Sequence, residues 1–186
     1  MKIIIWILFI AALALSFNLA HAAERNLGGL ATLTTDSRWV TTEVQPQEEG
    51  HYILTIAETE KTGRLSGYIE LARMKQVKET RDIREWVEKF QIPNFRKGNI
   101  GNTPSSTLTK ESSITLAAGI PATLILQEII INGNKRFVAF VFWQNKIKED
   151  DIFGYVRISD YADTTILSPD SGPLNNLLDG IKLINL

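Results

Sequence analysis

Ala122–Ile131 (ATLILQEIII), then Asn132-Gly133-Asn134, then Arg136–Trp143 (RFVAFVFW) is the stretch that decides the fold. Its residues are mostly aliphatic, β-branched or aromatic, the types that suit a pleated surface. Asn-Gly-Asn tolerates positive φ, so the two runs read as the arms of a β-hairpin. In the second arm Phe137, Ala139, Val141 and Trp143 alternate with Val138, Phe140 and Phe142. Both faces of that strand are apolar, which places it centrally in a sheet covered on both sides.

Downstream, Gln144–Asp151 reads as a charged turn and Phe153–Ser159 as a further strand. Upstream, Trp39–Val44, His51–Glu58 and Ser66–Met74 read as strands, with Pro46–Gly50 and Lys61-Thr62-Gly63 as turns. The middle one alternates Tyr52, Leu54 and Ile56 against Ile53, Thr55 and Ala57, a period of two. The period then changes. Ile83, Trp86, Val87 and Phe90 fall at helical spacing. Thr80 is the expected N-cap, Asp82 and Glu85 suit the positive end of the dipole, and Pro93 limits the helix. A second helix starts with Pro173 in its first turn and carries Leu174, Leu177, Leu178 and Ile181 as its stripe. Glu24–Asp36 reads as a lead-in broken by Gly28-Gly29. Asn94–Ser113, rich in Asn, Gly, Ser and Thr, reads as a long polar loop, of the kind that is either functional or disordered. Strands, helix, strands, helix describe an α+β domain over 23–186, with helices packed on a mostly antiparallel sheet.

Residues 1–22 have the pattern of a cleavable signal peptide. Lys2 supplies a positive end, Ile3–Phe17 is apolar without a charge, and Ala20-His21-Ala22 offers a cut after Ala22. The expected product is exported, to the periplasm or the medium. The chain has no cysteine. That excludes disulfides, thiolate metal sites, a cysteine nucleophile and lipid attachment at an N-terminal cysteine. With 20 Lys+Arg against 21 Asp+Glu there is no basic footprint for nucleic acid. After cleavage no run is long and apolar enough for a spanning helix: Ile120–Ile131 is interrupted by Pro121, Gln127 and Glu128.

The search for chemistry finds little. Once His21 leaves, His51 is the remaining histidine and is expected on the surface. No paired-histidine spacing exists, so neither a metal nor a cofactor is expected. Glu149-Asp150-Asp151 lacks the alternating ligands of a calcium loop and reads as a solvated turn. There is no Gly-x-Ser-x-Gly, and Ser105 and Ser106 have no base nearby in sequence. Gly98–Asn102 lacks the ending of a phosphate loop, although Arg96 and Lys97 before it would attract an anion. Trp86 belongs to the core stripe. Trp39 would line a partner surface or pack in the core. The candidate contacts for a ligand or partner are Trp39, Arg96, Lys97, Asn99 and Asn102.

The order of elements resembles the PsbP-like α/β/α sandwich family. Gly119-Ile120-Pro121-Ala122 is similar to the Gly-x-x-Ala element that opens its β-meander. Ala122–Ile131, Arg136–Trp143 and Phe153–Ser159 would be the meander, and Leu174–Ile181 the closing helix. The resemblance implies an exported sandwich with a non-enzymatic accessory or binding role, and transfers no site residue. The expectation is therefore an envelope protein that binds a protein partner or small ligand. An envelope hydrolase of unrecognised type, or a structural or assembly factor, are the alternatives.

Overall fold

The computed structural model describes residues 23–48, 50–58, 65–73, 82–95, 106–117, 119–131, 134–147, 150–161 and 167–184. The expected signal peptide lies outside them. So do Thr80, Arg96, Lys97, Asn99 and Asn102.

Glu24–Asp36 is not a lead-in. It forms a hairpin of β1 (Ala23–Leu27) and β2 (Ala31–Thr35). Gly28 and Gly29 adopt φ of 60 and 72 and make the turn, the conformation that glycine supplies without steric cost. The pair that would end a longer element therefore joins two short ones.

The strands β3 (Trp39–Glu48), β4 (His51–Glu58), β5 (Leu65–Arg73), β6 (Ser106–Thr115), β7 (Pro121–Ile131), β8 (Asn134–Ile147) and β9 (Asp150–Tyr161) form one antiparallel sheet. Its order is β3-β4-β5-β9-β8-β7-β6. Ile131 pairs with Asn134, as a two-residue hairpin loop requires. β8 lies between β7 and β9, and Val138 to Trp143 are all buried, so the central covered strand is as the sequence predicts.

Three turns are shorter than predicted. β3 runs through Pro46, which the sequence places in a turn. Proline is tolerated there because β3 is an edge strand and its register breaks between Val44 and Glu48. β8 and β9 extend into the charged Gln144–Asp151 segment, pairing as far as Ile147 with Asp150. The second half of the predicted Asn94–Ser113 loop is β6, a polar strand because it too is an edge.

The helix α1 begins at Ile83 and ends the described segment at residue 95. Its N-cap is Asp82, not Thr80: the Asp82 carboxylate accepts from the Arg84 and Glu85 amides. An α turn over Ile83–Trp86 widens into a π-helical stretch, Val87–Gln91, before α-helix resumes. The Ile92 amide donates to the Val87 carbonyl, five residues back. The extra residue in that turn resets the phase of the stripe. Ile83, Val87, Ile92 and Phe95 are buried, and Phe90, predicted to be in the stripe, is 38% exposed. The widened turn lies directly before Pro93. A regular turn there would press the proline ring on a carbonyl four residues back, so the π stretch lets the helix continue past it.

The second helix, α2, spans Pro173–Asp179 and stops at Gly180. Ile181 is not its last turn: it opens β10 (Ile181–Leu183), which pairs with β2. The Gly180 carbonyl accepts from the Thr34 amide at 2.9 Å, so a sheet bond takes over where the helix ends.

The result is an α+β, α/β/α arrangement. One face of the large sheet carries α1, whose Ile83, Val87, Ile92 and Phe95 pack on Ile125, Val138, Phe140, Phe153 and Tyr155. The other carries the small β1-β2-β10 sheet and α2, with Leu33, Leu174, Leu177 and Leu178 against Ile56, Ile69, Val141 and Val156. α1 takes the chain from β5, in the middle, to β6, at the edge.

Candidate functional site

Alternation along β6 sends Lys110, Ser112 and Ile114 to the small-sheet face and Glu111, Ser113 and Thr115 to the α1 face. A cleft lies beside β6 on each.

The cleft on the small-sheet face has a volume of about 460 Å³. Leu124, Leu126, Phe137 and Leu167 give it an apolar floor, and Ile114 closes one side. Leu126, Phe137 and Ile114 are only partly buried, although they pack against the core. The cleft forms because the small sheet and α2 do not reach the end of the large sheet. Residues 167–170 form its far wall. Charges stand at its edge. Lys110 and Asp170 are exposed, and Lys135 pairs with Glu128 at 3.0 Å. Ligand sites of this size with an apolar lining and a few polar groups span about 300–1,000 Å³.

The second cleft, about 400 Å³, lies between α1 and the ends of β6, β7 and β8. Ile83, Arg84, Thr115, Thr123, Phe142 and Gln144 line it. Arg84 donates to Glu111 at 2.7 Å and to Glu88 at 3.0 Å, and its guanidinium is 5.7 Å from the Phe142 ring centre. The Glu111 hydrogen bond above all holds the guanidinium protonated, and Arg84 in turn lowers the Glu111 carboxyl.

The sheet also carries a polar cluster beside the C-terminal part of α1. His51 Nε2 lies 2.7 Å from Glu70 Oε1, with both side chains largely buried. His51 is thus largely buried and paired, not the surface histidine the sequence suggests. Its strand places it directly opposite Ala72, on the side where Glu70 also points. The Arg157 guanidinium lies between two rings, 4.4 Å from Tyr68 and 5.0 Å from Phe95. The Tyr68 hydroxyl bonds to the Gln91 side chain. Burial pushes the Tyr68 hydroxyl up to about 12, against the opposing pull of Arg157. It also raises Tyr155, whose ring is 5.3 Å from that of Tyr68. Both phenols are therefore neutral at ordinary pH and act as packing and hydrogen-bonding groups. Among the described residues no group of three or more His, Cys, Asp or Glu is placed to hold a metal.

Trp39, expected as a possible contact residue, is only 5% exposed and belongs to the inner core. At the start of β3 it shares a strand face with Thr41, which pairs with Ile56, and all three are buried. Trp39 lines neither cleft, and Arg96, Lys97, Asn99 and Asn102 lie outside the described residues. The cleft is not legible in the sequence because Asn94–Ser113, which contains most of β6, has loop composition. The available signal was the alternation of Lys110, Ser112 and Ile114 with Glu111, Ser113 and Thr115 beside a long apolar strand.

No protein-family model matches the chain, and comparison with curated proteins finds no match. Solved structures do match. LpqN of Mycobacterium tuberculosis, described as involved in cell envelope biogenesis, is 15% identical over 82% of each chain, with a TM-score of 0.43. The Ran-binding protein Mog1p of Saccharomyces cerevisiae is 10% identical over 89% of this chain and 96% of its own, with a TM-score of 0.45. Neither likeness assigns a role. Among the described residues no helix is long and apolar enough to cross a membrane.

Proposed function

We propose that the chain is an exported, non-enzymatic binding or accessory protein of the cell envelope, built on a PsbP-like sandwich. It takes an apolar-bodied ligand or partner segment in the cleft beside β6. The observation that carries the binding reading is that cleft: partly exposed Leu126, Phe137 and Ile114 beneath a charged edge. Apolar side chains left open at a concave site gain by burial against a partner, at roughly 25 cal/mol per Å². The leader pattern of residues 1–22 supports export, with the periplasm as the proposed destination. The Leu116 amide donates to Ile120 and the Gly119 amide to Leu116 just before β7, where the Gly119–Ala122 element of the resemblance begins. Arg96, Lys97, Asn99 and Asn102, which follow α1 in the chain, are proposed as further contacts.

A hydrolase remains the competing reading, because a histidine held by a carboxylate is one part of a hydrolytic site. In the described structure His51 and Glu70 are far along the sheet from β6, separated from it by β9, β8 and β7.

The test is a photocrosslinking residue placed at Leu126 in the full chain, with Val40 on the opposite edge strand as control. Expression in the native host should give a crosslinked species from Leu126 alone, and the recovered protein should begin at Ala23. Equal labelling from both sites, or none from Leu126, would rule out the cleft as a binding site. An uncleaved leader would rule out the proposed export.

A further inference from the structure

We propose that the ligand class of this site is an extended peptide segment, with apolar residues at alternate positions, that adds to β6 as an antiparallel strand. The proposal rests on the binding reading above and specifies what binds.

Backbone geometry gives the first reason. The Leu116 amide donates to the Ile120 carbonyl, which sets the phase of the β6–β7 ladder. Thr115 faces Pro121, which has no N–H to give, so the ladder bonds fall at Ile114, Ser112 and Lys110. The N–H and C=O groups of Glu111, Ser113 and Thr115 then point away from β7. Among the described residues β6 is the terminal strand on that side. A row of unpaired donors and acceptors at strand spacing is a template for another strand.

The second reason is the placement of the clefts. Residues of an added strand opposite Ser112 and Ile114 would project to the small-sheet face, into the cleft floored by Leu124, Leu126 and Phe137. Residues opposite Glu111, Ser113 and Thr115 would project to the cleft bounded by Arg84, Phe142 and Gln144. An apolar residue fits the first and a polar residue the second. That is the alternation of a half-buried strand. Asp170, exposed at the edge of the apolar cleft, favours a basic residue flanking the apolar positions.

The opposite edge shows the contrast. β3 carries Pro46 and a register break between Val44 and Glu48, both of which discourage pairing. In β6 the irregularity is confined to Ser106–Leu108, and Lys110–Thr115 is regular and free of proline. The charge of Glu111 is held to α1 by Arg84, so it does not repel an incoming strand.

The probe is the acetylated, amidated peptide KTVTLTVTK, titrated into the full chain, with anilinonaphthalene sulfonate as a small apolar probe of the cleft. Ser113→Pro removes an outward-pointing N–H and leaves the bonds to β7 in place. It should weaken peptide binding at least about tenfold, the scale of lost edge hydrogen bonds, and spare the dye. Leu126→Asp should weaken both. Because Ser113→Pro could disturb the fold, the same test is run on the ligand. N-methylation of the peptide's threonine amides should abolish binding to the unaltered protein, and N-methylation at its valines and leucine should not. Peptide binding indifferent to both Ser113→Pro and threonine N-methylation would overturn strand addition and leave the cleft reading standing. Failure of both probes on the unaltered protein would overturn the cleft reading too. Self-association abolished by Ser113→Pro, without peptide binding, would replace the peptide by a second copy of the chain.

Discussion

Replacing His51 by alanine should cost this protein more than any exposed histidine would. Glu70 is 6% exposed, and His51 Nε2 lies 2.7 Å from its carboxylate. Removing the hydrogen-bond partner of a buried polar group typically costs about 1–3 kcal/mol, and more when the group left behind is a carboxylate. The His51 side chain is 16% exposed, so water can reach part of the space that alanine opens. That lowers the expected cost to roughly 2–3 kcal/mol. For a domain of this size roughly 2–4 °C is lost per kcal/mol, so Tm should fall by about 5–10 °C. His51→Gln keeps a donor in reach of the carboxylate and should stay within about 1 kcal/mol of the parent. The double change His51→Leu with Glu70→Leu removes both hydrogen-bonding partners together and should be milder than His51→Ala. The assay is thermal and urea unfolding followed by circular dichroism, with the urea slope checked for constancy. A fall below about 2 °C for His51→Ala would refute the burial argument. A Gln variant as weak as the Ala variant would show that packing, not the hydrogen bond, holds the pair.

Burial raises the Tyr68 hydroxyl to about 12, so the folded protein keeps this proton longer than the unfolded chain does. The resulting stability is fully present below about pH 10 and is lost as pH rises toward 12, roughly 2–3 kcal/mol in all. Urea midpoints across that window should fall for the parent and less steeply for Tyr68→Phe; parallel curves would contradict the assignment. Phe90→Asp should change stability by less than about 1 kcal/mol, since the π stretch turns Phe90 outward, and Ile92→Asp should cost more than about 3 kcal/mol. Equal losses in chemical denaturation would mean that α1 has no phase shift. In Gly154→Ala the new Cβ would stand 2.0 Å from the Trp143 ring, which is 2% exposed and cannot withdraw. The expected loss is about 1–3 kcal/mol, and Trp143→Leu beside it should recover part of that loss in a double-mutant cycle.

Local pattern decided most of the elements, and the reasons are local. Arg136–Trp143 has two apolar faces, and a strand with two apolar faces can only lie inside a sheet. Asn132-Gly133 between two strand runs can be read as a hairpin without knowing anything distant. The stripe through Ile83 and Val87 marked α1, but its second half depends on Pro93: an interior proline is accommodated by widening the turn, which moved Ile92 inward and Phe90 out. Edges were the hardest to read. Ser106–Thr115 has loop composition, and it became β6 because the apolar β7 needed a neighbour and an edge strand can be polar on its open side. Likewise Gly28-Gly29 looked like an interruption until β10, distant in sequence, paired with β2.

By itself the sequence determined the class of the fold, the central strand, the two helices, the absence of cysteine chemistry and the leader pattern. Each follows from side-chain period or composition within a short window. Tertiary structure alone decided the strand order, the pairing of His51 with Glu70, the burial of Trp39 and the two clefts beside β6. Those depend on which distant segments meet: β5 against β9 sets the sheet order, and the short reach of the small sheet leaves Leu126 and Phe137 uncovered. Contacts between residues far apart in the chain have no periodic signal in sequence, and a site made by the end of one layer is visible only when the layers are stacked.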